Sequence, residues 1–370
     1  MKGQWLGYLK GSNVALVTMN VDERENSYNG VAYFVDQSNT IPSLSIHFEL
    51  LKKDIFQGVG ECNSELIHPL DSRLLTPTSW ELLKDKYIES QIPKSVNIKF
   101  KLTNQKLNVS AKTDIDTNVD GELEVSNLKS GSVLPSDLKS WNDFKQMIIN
   151  STDRSLYRGQ NEPWKLQTSF HRQGRNDLTR YLREDIPELH RSLCNKTNHV
   201  FDLSNSEEFG ALMNLAQHHG YPTPLLDWTL SPYVAAFFAF RGISSEDAKK
   251  SPDKKVRIYI LSSEWRQKVA QNQNITSGQR HVSVIDLLGI ENNRMIPQQA
   301  TSSVTSVADI ELHIKTVEQS LGIDFLHAVD LLWSERDKVV KELTLMGVTA
   351  GSLFPGLDGT CEELKERMFN

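Results

Sequence analysis

Apolar and polar residues alternate in short runs along the first third of the chain. The clearest runs cover residues 14–17, 31–35, 44–48 and 96–102. Alternation sends every second side chain to the same face of a strand, so these runs predict an antiparallel sheet with one face in water. Turn signals such as Asn29-Gly30 and Asp120-Gly121 lie between the runs and suit hairpins, because these residues tolerate positive φ. We therefore predict an all-β domain, a barrel or a sandwich, over residues 1–128.

One segment of this domain, residues 78–87, breaks the alternation. Thr78 and Ser79 can cap a helix, and Glu81 stands at the spacing of a capping box. The sequence predicts one helix here.

The pattern changes from strand alternation to helical spacing after residue 128. Gly, Ser and Pro punctuate residues 129–136, which predicts a linker. Leu138, Trp141, Phe144 and Ile148 then follow at intervals of three to four residues, so that one face of a helix is apolar. We expect this helix to begin at Ser136-Asp137 and to open a second domain, residues 137–370.

The second domain mixes both kinds of pattern. Helical periodicity recurs at residues 177–193, 206–218 and 307–321. Residues 256–261 form a short β-rich run typical of a central strand, whereas 247–255 are polar and predict a surface loop. The fold class predicted for the chain is therefore α+β: an all-β barrel or sandwich followed by a mixed α+β domain.

Composition narrows the classes of protein. The chain has 370 residues, 38% hydrophobic and 24% charged, with a formal net charge of −6. This charge does not favour nucleic acid as a partner, although a local basic patch can still bind a phosphate-bearing ligand. The three cysteines are far apart, and no segment reads as an export signal or membrane span, so we expect a cytoplasmic protein with no membrane contact.

Two short motifs contain an unusually high proportion of residues that could bind a ligand or take part in a reaction. The first is Tyr157-Arg158-Gly159-Gln160, and the second covers residues 217–232, just before the apolar run 233–240. The second motif packs His, Asp, Trp, Thr and Pro into a turn where an ordinary connection would carry flexible polar residues. Its adjacent histidines, His218 and His219, point in different directions on a helix and no further ligand cluster is evident, so no metal site is predicted.

These motifs, together with residues 293–300 and 347–359, resemble the FRG domain family, which is named for the first of them. The resemblance covers residues 138–366, and the N-terminal β domain lies outside it. Pro224 stands where the family commonly has Arg, and Ala300 where it commonly has Gly. FRG domains are described as modules of bacterial, phage and mobile-element proteins, often beside defence genes. The resemblance implies a remote relation to ADP-ribosyltransferases, with NAD as the substrate.

That relation assigns roles to residues of this chain. Three side chains follow the order of a transferase catalytic core, namely Arg158, Thr229 and Gln298. The remaining candidates would hold the substrate and are Tyr157, Gly159, Gln160, His218, Thr223, Asp227, Trp228 and Arg294. Arg158 offers a planar fork of donors for a pyrophosphate, and Gly159 would let the backbone approach the ligand. Gln298 lacks the negative charge with which a Glu would stabilise an oxocarbenium ion.

Structural roles for the same residues stay open. Arg158 could form a buried ion pair with Asp227 instead of binding a ligand. Trp228 could fill the core instead of stacking on a base, and His218 could bond a carbonyl at a helix end instead of acting as an acid or base.

Two functions follow. The first is a bacterial effector or toxin of antiphage defence that transfers ADP-ribose from NAD to a protein or nucleic-acid target, with the N-terminal β domain as sensor or tether. The alternative is a non-catalytic module that binds a nucleotide or a phage or host protein, with Arg158 and Asp227 as structural anchors. Whether the chain is an enzyme is left open by the sequence.

Overall fold

A computed structural model of the protein describes residues 1–126 and 131–369. Residues 129 and 130 of the predicted linker, and the predicted domain boundary at 128, lie outside the described residues.

The N-terminal region is a nearly closed antiparallel β-barrel, which confirms the all-β prediction. Its strands follow the order β5-β7-β8-β9-β1-β2-β3-β4-β6, and the two ends of the sheet meet where β4 contacts β5. The strands are β1 (Gly3–Gly11), β2 (Val14–Glu23), β3 (Ser27–Asp36), β4 (Leu44–Leu51), β5 (Val59–Ser64), β6 (Ile67–Pro69), β7 (Val96–Thr103), β8 (Lys106–Thr113) and β9 (Asn118–Val125). Large side chains such as Trp5, Met19, Phe48 and Phe100 fill the interior.

The helix predicted at residues 78–87 is wrong. Only Trp80–Leu82 forms a single 3₁₀ turn, and the side chain of Ser79 caps nothing. Leu83 and Tyr87 are buried, but Leu82 and Ile88 are 78% and 85% exposed. One buried pair four residues apart is too little apolar surface to hold a short helix against the barrel.

The second region is built on a seven-stranded sheet. Its strands follow the order β10-β16-β13-β11-β12-β15-β14; all neighbours are antiparallel except β10 and β16. They are β10 (Asp137–Leu138), β11 (Leu156–Gln160), β12 (Leu225–Thr229), β13 (Lys255–Leu261), β14 (Val282–Ile285), β15 (Ala300–Thr305) and β16 (Leu326–Leu332). The predicted central strand at 256–261 is β13, in the interior of this sheet.

Helices cover both faces of the sheet, which confirms the mixed α+β prediction. They are α1 (Trp141–Asn150), α2 (Ser169–Arg172), α3 (Leu178–Arg180), α4 (Ile186–Cys194), α5 (Ser206–His218), α6 (Pro232–Phe240), α7 (Ser245–Lys250), α8 (Glu264–Lys268), α9 (Ile310–Leu321), α10 (Arg336–Leu345), α11 (Ala350–Leu353) and α12 (Leu357–Phe369). One core lies between the sheet and α1, α6 and α10. The other lies between the opposite face and α8 and α9.

Three helix predictions are confirmed with small shifts. Residues 206–218 form α5 as predicted, although its cap is Asn205. Residues 178–194 are helical throughout, as α3, a π-helical turn and α4. The helix predicted from 307 begins at Ile310, because Asp309 caps it.

Two boundaries are wrong. The helix predicted from Ser136-Asp137 begins at Trp141, because Ser140 accepts a hydrogen bond from Asp143 N. The residues before it, Asp137 and Leu138, pair with β16 instead. The surface loop predicted at 247–255 contains most of α7, which a Ser244–Asp247 capping box begins.

The barrel packs against the second region through the outer face of β2 and β3. Asp22, on β2, is fully buried there. Its carboxylate accepts hydrogen bonds from Arg175 Nε at 2.5 Å, Arg180 Nη1 at 3.2 Å and Asn176 N at 2.7 Å. Elsewhere in the interface, Gln4 Nε2 donates to Ser306 O at 2.8 Å.

Candidate functional site

A cavity of 780 Å³ opens beside β11, β12 and the start of β15. Every site residue predicted from the sequence lines it except Thr223. The lining residues from that prediction are Tyr157, Arg158, Gly159, Gln160, His218, Asp227, Trp228, Thr229, Arg294 and Gln298. The structure therefore brings together motifs separated by up to about 200 residues, and their roles in binding or reaction stay predictions.

Strand pairing places the motifs side by side. Tyr157 on β11 pairs with Thr229 on β12, and Thr229 pairs with Ala300 on β15. The Thr229 hydroxyl donates to Gln298 O at 2.7 Å and accepts from Ser231 N at 3.0 Å. It thus fixes the turn from β12 into α6, where Ser231 caps the helix.

Arg158 lies deep in the cavity wall. Its Nη1 donates to the backbone carbonyl of Asp227 at 2.6 Å, whereas Nε is buried without a partner. Burial lowers the pKa of the Arg158 guanidinium, and the Asp227 carboxylate acts in the opposite direction. The predicted contact with Asp227 is therefore present, but through a carbonyl: among the described residues no carboxylate forms a salt bridge with Arg158.

The carboxylate of Asp227 is held from the other side. Gln217 Nε2 donates to Asp227 Oδ1, and Gln217 Oε1 accepts from the hydroxyl of Thr223. Thr223 is fully buried and outside the cavity. Its hydroxyl therefore orients Gln217, and Gln217 orients the carboxylate that faces the cavity.

The cavity carries an excess of positive charge although the whole chain is negative. Among the described residues its basic side chains are Arg158, Lys165, Arg172, Arg241 and Arg294, and its one acidic lining residue is Asp227. Lys165 is paired with Asp309, and Arg241 with Glu362. For Arg158, Arg172 and Arg294, the described part of the chain supplies no salt-bridge partner. Burial lowers the pKa of Arg172, while Asp227 raises it.

His218 ends α5 at the cavity edge. Its Nδ1 lies 2.9 Å from Asn214 O and 3.0 Å from Asn292 Nδ2, so it either donates to the carbonyl or accepts from the amide. Its own carbonyl accepts from Arg294 Nη1 at 3.1 Å. The helix-end bond considered from the sequence is thus one of two geometries seen here, and Nε2 has no partner among the described residues.

Gly159 and Trp228 line the cavity but face elsewhere. A Cβ on Gly159 would lie 1.9 Å from Ala235 O, so the missing side chain admits α6 and not a ligand. Trp228 is 2% exposed in the core, and its Nε1 donates to Ser303 Oγ at 3.0 Å. The core position considered for Trp228 is the one that the structure shows. Tyr157 is likewise 5% exposed in a core cluster.

The C-terminal segment forms another wall. Gln298 Nε2 donates to Leu353 O at 3.0 Å, while its Oε1 has no partner within the described ranges. The guanidinium carbons of Arg241 and Arg294 lie 4.1 Å and 5.5 Å from the ring centroid of Phe354. Cation–π contacts with both guanidinium groups stabilise this wall.

Several residues of the cavity were not predicted from the sequence. Trp164 is 48% exposed at the cavity, and its backbone carbonyl accepts from Tyr259 OH at 2.5 Å. Arg172, at the end of α2, donates to Gln167 O at 3.0 Å. Both residues follow the first motif within about fifteen positions, which is the one signal that could have found them. Gln160, which was predicted, has no side-chain hydrogen bond in the described part of the chain.

Two general features of the described residues bear on the site. They contain no group of three or more His, Cys, Asp or Glu side chains placed to hold a metal ion. No described helix has the length and apolar character needed to cross a membrane.

Comparison with known proteins identifies part of the chain. No curated protein matches it. Among solved structures, the redesigned β-barrel mFAP1 bound to DFHBI is similar at 7% identity, over 33% of this chain and 93% of that chain, with a TM-score of 0.24. The FRG domain family matches residues 153–248, which carry β11, β12 and the two motifs that meet at the cavity. This protein therefore contains an FRG domain, at residues 153–248.

Proposed function

We propose that the cavity binds a phosphate-bearing nucleotide, with NAD as the ligand class that fits best. The observation that carries the proposal is the set of three arginines, Arg158, Arg172 and Arg294, that face one cavity without a carboxylate in salt-bridge contact among the described residues. A guanidinium group without a carboxylate partner keeps its charge available to a ligand, and guanidinium groups bind phosphate oxygens through parallel hydrogen bonds. A diphosphate would supply the missing negative charge.

Size and shape support a dinucleotide over a simple anion. Pockets for small molecules usually measure roughly 300–1,000 Å³, and this cavity measures 780 Å³. Trp164 and Phe238 add aromatic surface to the arginines. Trp164 takes the stacking role that was assigned to Trp228, because its ring is half-exposed whereas Trp228 is buried.

Transfer of ADP-ribose is the finer form of the proposal. The bond from the ribose to nicotinamide breaks, nicotinamide leaves with the bonding electrons, and a nucleophile of the target forms the new bond and loses its proton. Positive charge develops on the sugar, and Asp227 is the carboxylate that could stabilise it. Gln298 Oε1 could orient the acceptor. The proposed target is a protein or a nucleic acid, and a role in antiphage defence rests on the family resemblance.

Binding without transfer is the second candidate function, and two contacts favour it. The Thr229 hydroxyl already uses its proton on Gln298 O, and Gln298 Nε2 is tied to Leu353 O. Two of the three predicted catalytic groups, Thr229 and Gln298, therefore form hydrogen bonds within the protein. A recognition module would not need these groups for catalysis, since it requires only the site that binds the anion.

Titration calorimetry with NAD, ADP-ribose and pyrophosphate tests the binding proposal. Arg172→Gln should weaken all three at least about tenfold, since one charge-assisted contact is lost, while the free energy of unfolding changes little because Arg172 has a single backbone partner. Arg154→Gln, an exposed site outside the cavity, is the matched control. Equal loss in both variants, or no binding by the wild type, would contradict the proposal.

Labelled NAD separates the two candidate functions. The full chain is incubated with a bacterial lysate with and without phage infection, and release of nicotinamide is measured beside label transfer. Asp227→Asn should abolish both if the carboxylate stabilises the cation, and should leave NAD affinity within about threefold because the arginines remain. Binding with no turnover under either condition would leave the recognition module as the function.

A further inference from the structure

A second cavity lies at the end of the barrel that carries the hairpin between β1 and β2. It measures 360 Å³. The hairpin between β1 and β2 and the loops 37–43 and 114–117 surround its mouth, whereas Asp22 contacts the second region near the opposite end of β2. The barrel also contacts the second region through Tyr33 OH, which donates to Thr276 O at 3.0 Å, and through Leu74 O, which accepts from Ser277 Oγ. None of these three barrel residues lines the cavity.

The walls of this cavity are the interior of the barrel. Ala15, Ile46, Val96 and Ala111 line it and belong to the buried barrel core, and Phe34 packs against the same core. Side chains alternate between the two faces of a strand, so these positions all point inward. Because β3 and β8 are four strands apart in the sheet order, the cavity spans the barrel and is not a groove on its surface.

Residue size explains why space remains at this end. Large side chains such as Trp5, Met19 and Phe100 fill the middle and the other end of the barrel. At the end that holds the cavity, the inward positions of β2 and β8 are Ala15 and Ala111. Barrels of about eight strands have interiors just wide enough to be filled by side chains or to hold one small ligand. Because Ala15 and Ala111 are small, this end of the barrel has room for one small ligand.

Charge at the cavity narrows the class of ligand. Within the described part of the chain no Lys, Arg or His lines it, and its acidic lining residues there are Asp36 and Glu89. The Asp36 oxygens already accept from Asn13 Nδ2 at 3.2 Å, Ser38 Oγ at 2.6 Å and Thr40 N at 3.3 Å. Glu89 is exposed at the rim. An anionic ligand would find no cation, and Asp36 has little capacity left for a cationic one.

We propose that the barrel binds an uncharged, mainly apolar small molecule in this cavity. The site is separate from the 780 Å³ cavity beside β11 and β12, which we call the FRG cavity. The basic residues of the FRG cavity favour an anionic ligand. One chain would therefore bind an apolar ligand in the barrel and an anionic ligand in the FRG cavity. The proposal for the barrel does not depend on what the FRG cavity binds.

A pair of fluorescent probes tests the proposal with the full chain. N-phenyl-1-naphthylamine is uncharged, and 8-anilinonaphthalene-1-sulfonate has the same ring system with an added sulfonate. We expect saturable binding of the uncharged probe, at least about tenfold tighter than that of the sulfonate at the same site, which is measured as displacement of the uncharged probe by the sulfonate. Equal affinity for the two probes, or no saturable binding of the uncharged one, overturns the proposal.

Two substitutions on one strand locate the site. Ala111→Leu fills the cavity and should weaken the uncharged probe at least about tenfold, whereas Ser110→Leu adds the same side chain to the outer face of β8 and should not. Ala15→Val fills the cavity from β2 with a smaller side chain. This variant replaces Ala111→Leu in the test if Ala111→Leu lowers the midpoint of thermal unfolding. Unchanged affinity for the uncharged probe in a folded cavity-filling variant overturns the proposal. Loss of that affinity in Arg172→Gln also overturns it, because the probe would then be bound in the FRG cavity.

Discussion

Gly159, in the motif that names the FRG domain, shows how a single residue can have a different role from the one its sequence suggests. A glycine beside an arginine suggests close approach of a ligand, yet the atoms next to it are Ala235 O and Ala239 N of α6. The helix lies so close to β11 that no side chain fits between them. Gly159 therefore sets the distance between α6 and the sheet, and through it the position of Arg158.

Gly159→Ala should destabilise the protein by about 3 kcal/mol or more, because overpacking against backbone cannot be relieved by turning a side chain. The added Cβ would lie 1.9 Å from Ala235 O and 2.7 Å from Ala239 N. Urea unfolding followed by circular dichroism measures the change. Gly131→Ala, where a Cβ meets nothing within 4 Å, is the control. A difference below about 1 kcal/mol between the two variants would contradict this packing role.

Which site residues could be predicted depended on their spacing in the sequence. Arg158, Asp227 and Gln298 were found because dense motifs surround them, and they do line one cavity. Arg172 and Trp164 were missed, since an isolated Arg or Trp in a polar stretch has many explanations. The direction of each side chain could not be predicted either: Trp228 lies on the same face of β12 as Leu226, and that face packs into the core against α8 and α9.

At the scale of elements, a buried ion pair joins two neighbouring strands. Arg257 on β13 donates to Asp330 on β16 at 2.8 Å through Nε, and both side chains are more than nine-tenths buried. Arg257 also donates to Ser136 Oγ at 2.8 Å, just before β10. The pair therefore holds the chain leaving residues 131–136 against the edge of the sheet.

Asp330→Ala should cost about 3–5 kcal/mol, because it leaves Arg257 buried without its counter-charge. Asp286→Ala removes the partner of Arg266 from an exposed pair and should cost less than about 1 kcal/mol. Thermal unfolding of both variants at one pH gives the comparison. Similar losses in the two would mean that burial does not decide the strength of these pairs.

Prediction of elements succeeded where capping and periodicity agreed. Residues 206–218 have helical apolar periodicity and a Ser at their start, so α5 was found to the residue, although Asn205 is the cap in the structure. Residues 78–87 have the sequence spacing of a capping box but bury only Leu83 and Tyr87, and a single 3₁₀ turn forms in place of the predicted helix. The start predicted at Ser136-Asp137 is wrong, because Ser140 caps the helix and Asp137 pairs with β16, a strand about 190 residues away that no local pattern could reveal.

At the scale of the whole molecule, two short segments connect the FRG cavity to the barrel. Arg172 lines the cavity, and Arg175, three residues later, bonds Asp22 of the barrel. Strand β15 likewise begins at Ala300 in the cavity wall and leads to Ser306, whose carbonyl accepts from Gln4 of β1. A shift of the barrel by even a small distance would move both sides of the cavity.

Asp22→Ala should destabilise the docking of the barrel by about 3 kcal/mol, because buried arginine and backbone donors lose their acceptor. Hydrogen exchange should rise at residues 172–180, and NAD affinity should fall through Arg172. Glu23→Ala, the exposed neighbour on the same strand, should change neither. Faster exchange confined to the barrel would contradict a link between the barrel and the cavity.

Acid should destabilise the protein as a whole. Burial lowers the pKa of His171 to about 3, that of His281 to about 4 and that of His313 to about 3. These histidines stay neutral in the folded state while the unfolded chain takes up protons below pH 6.5, so their contribution is complete above that pH and is lost as the pH falls towards 3–4. Burial raises the pKa of Asp177 to about 6, and this single group acts in the opposite direction, favouring folding at lower pH.

His171→Asn should therefore flatten the pH dependence of unfolding. One fully buried histidine accounts for about 2 kcal/mol between pH 7 and pH 5. Urea midpoints at the two pH values measure the difference, and the exposed His219→Asn is the control. An unchanged slope in His171→Asn would assign the acid sensitivity to other groups.

The position of the FRG match within the sheet limits how the domain can be isolated. Residues 153–248 supply only β11 and β12, which share one register pair, while the strands that flank them, β13 and β15, come later in the chain. Arg294, Gln298 and Phe354 also lie beyond the match. A protein fragment cut at the family boundaries would expose both edges of a two-stranded ribbon and carry half a cavity, so expression of residues 153–248 alone should give aggregate, and activity screens of FRG domains need the whole sheet.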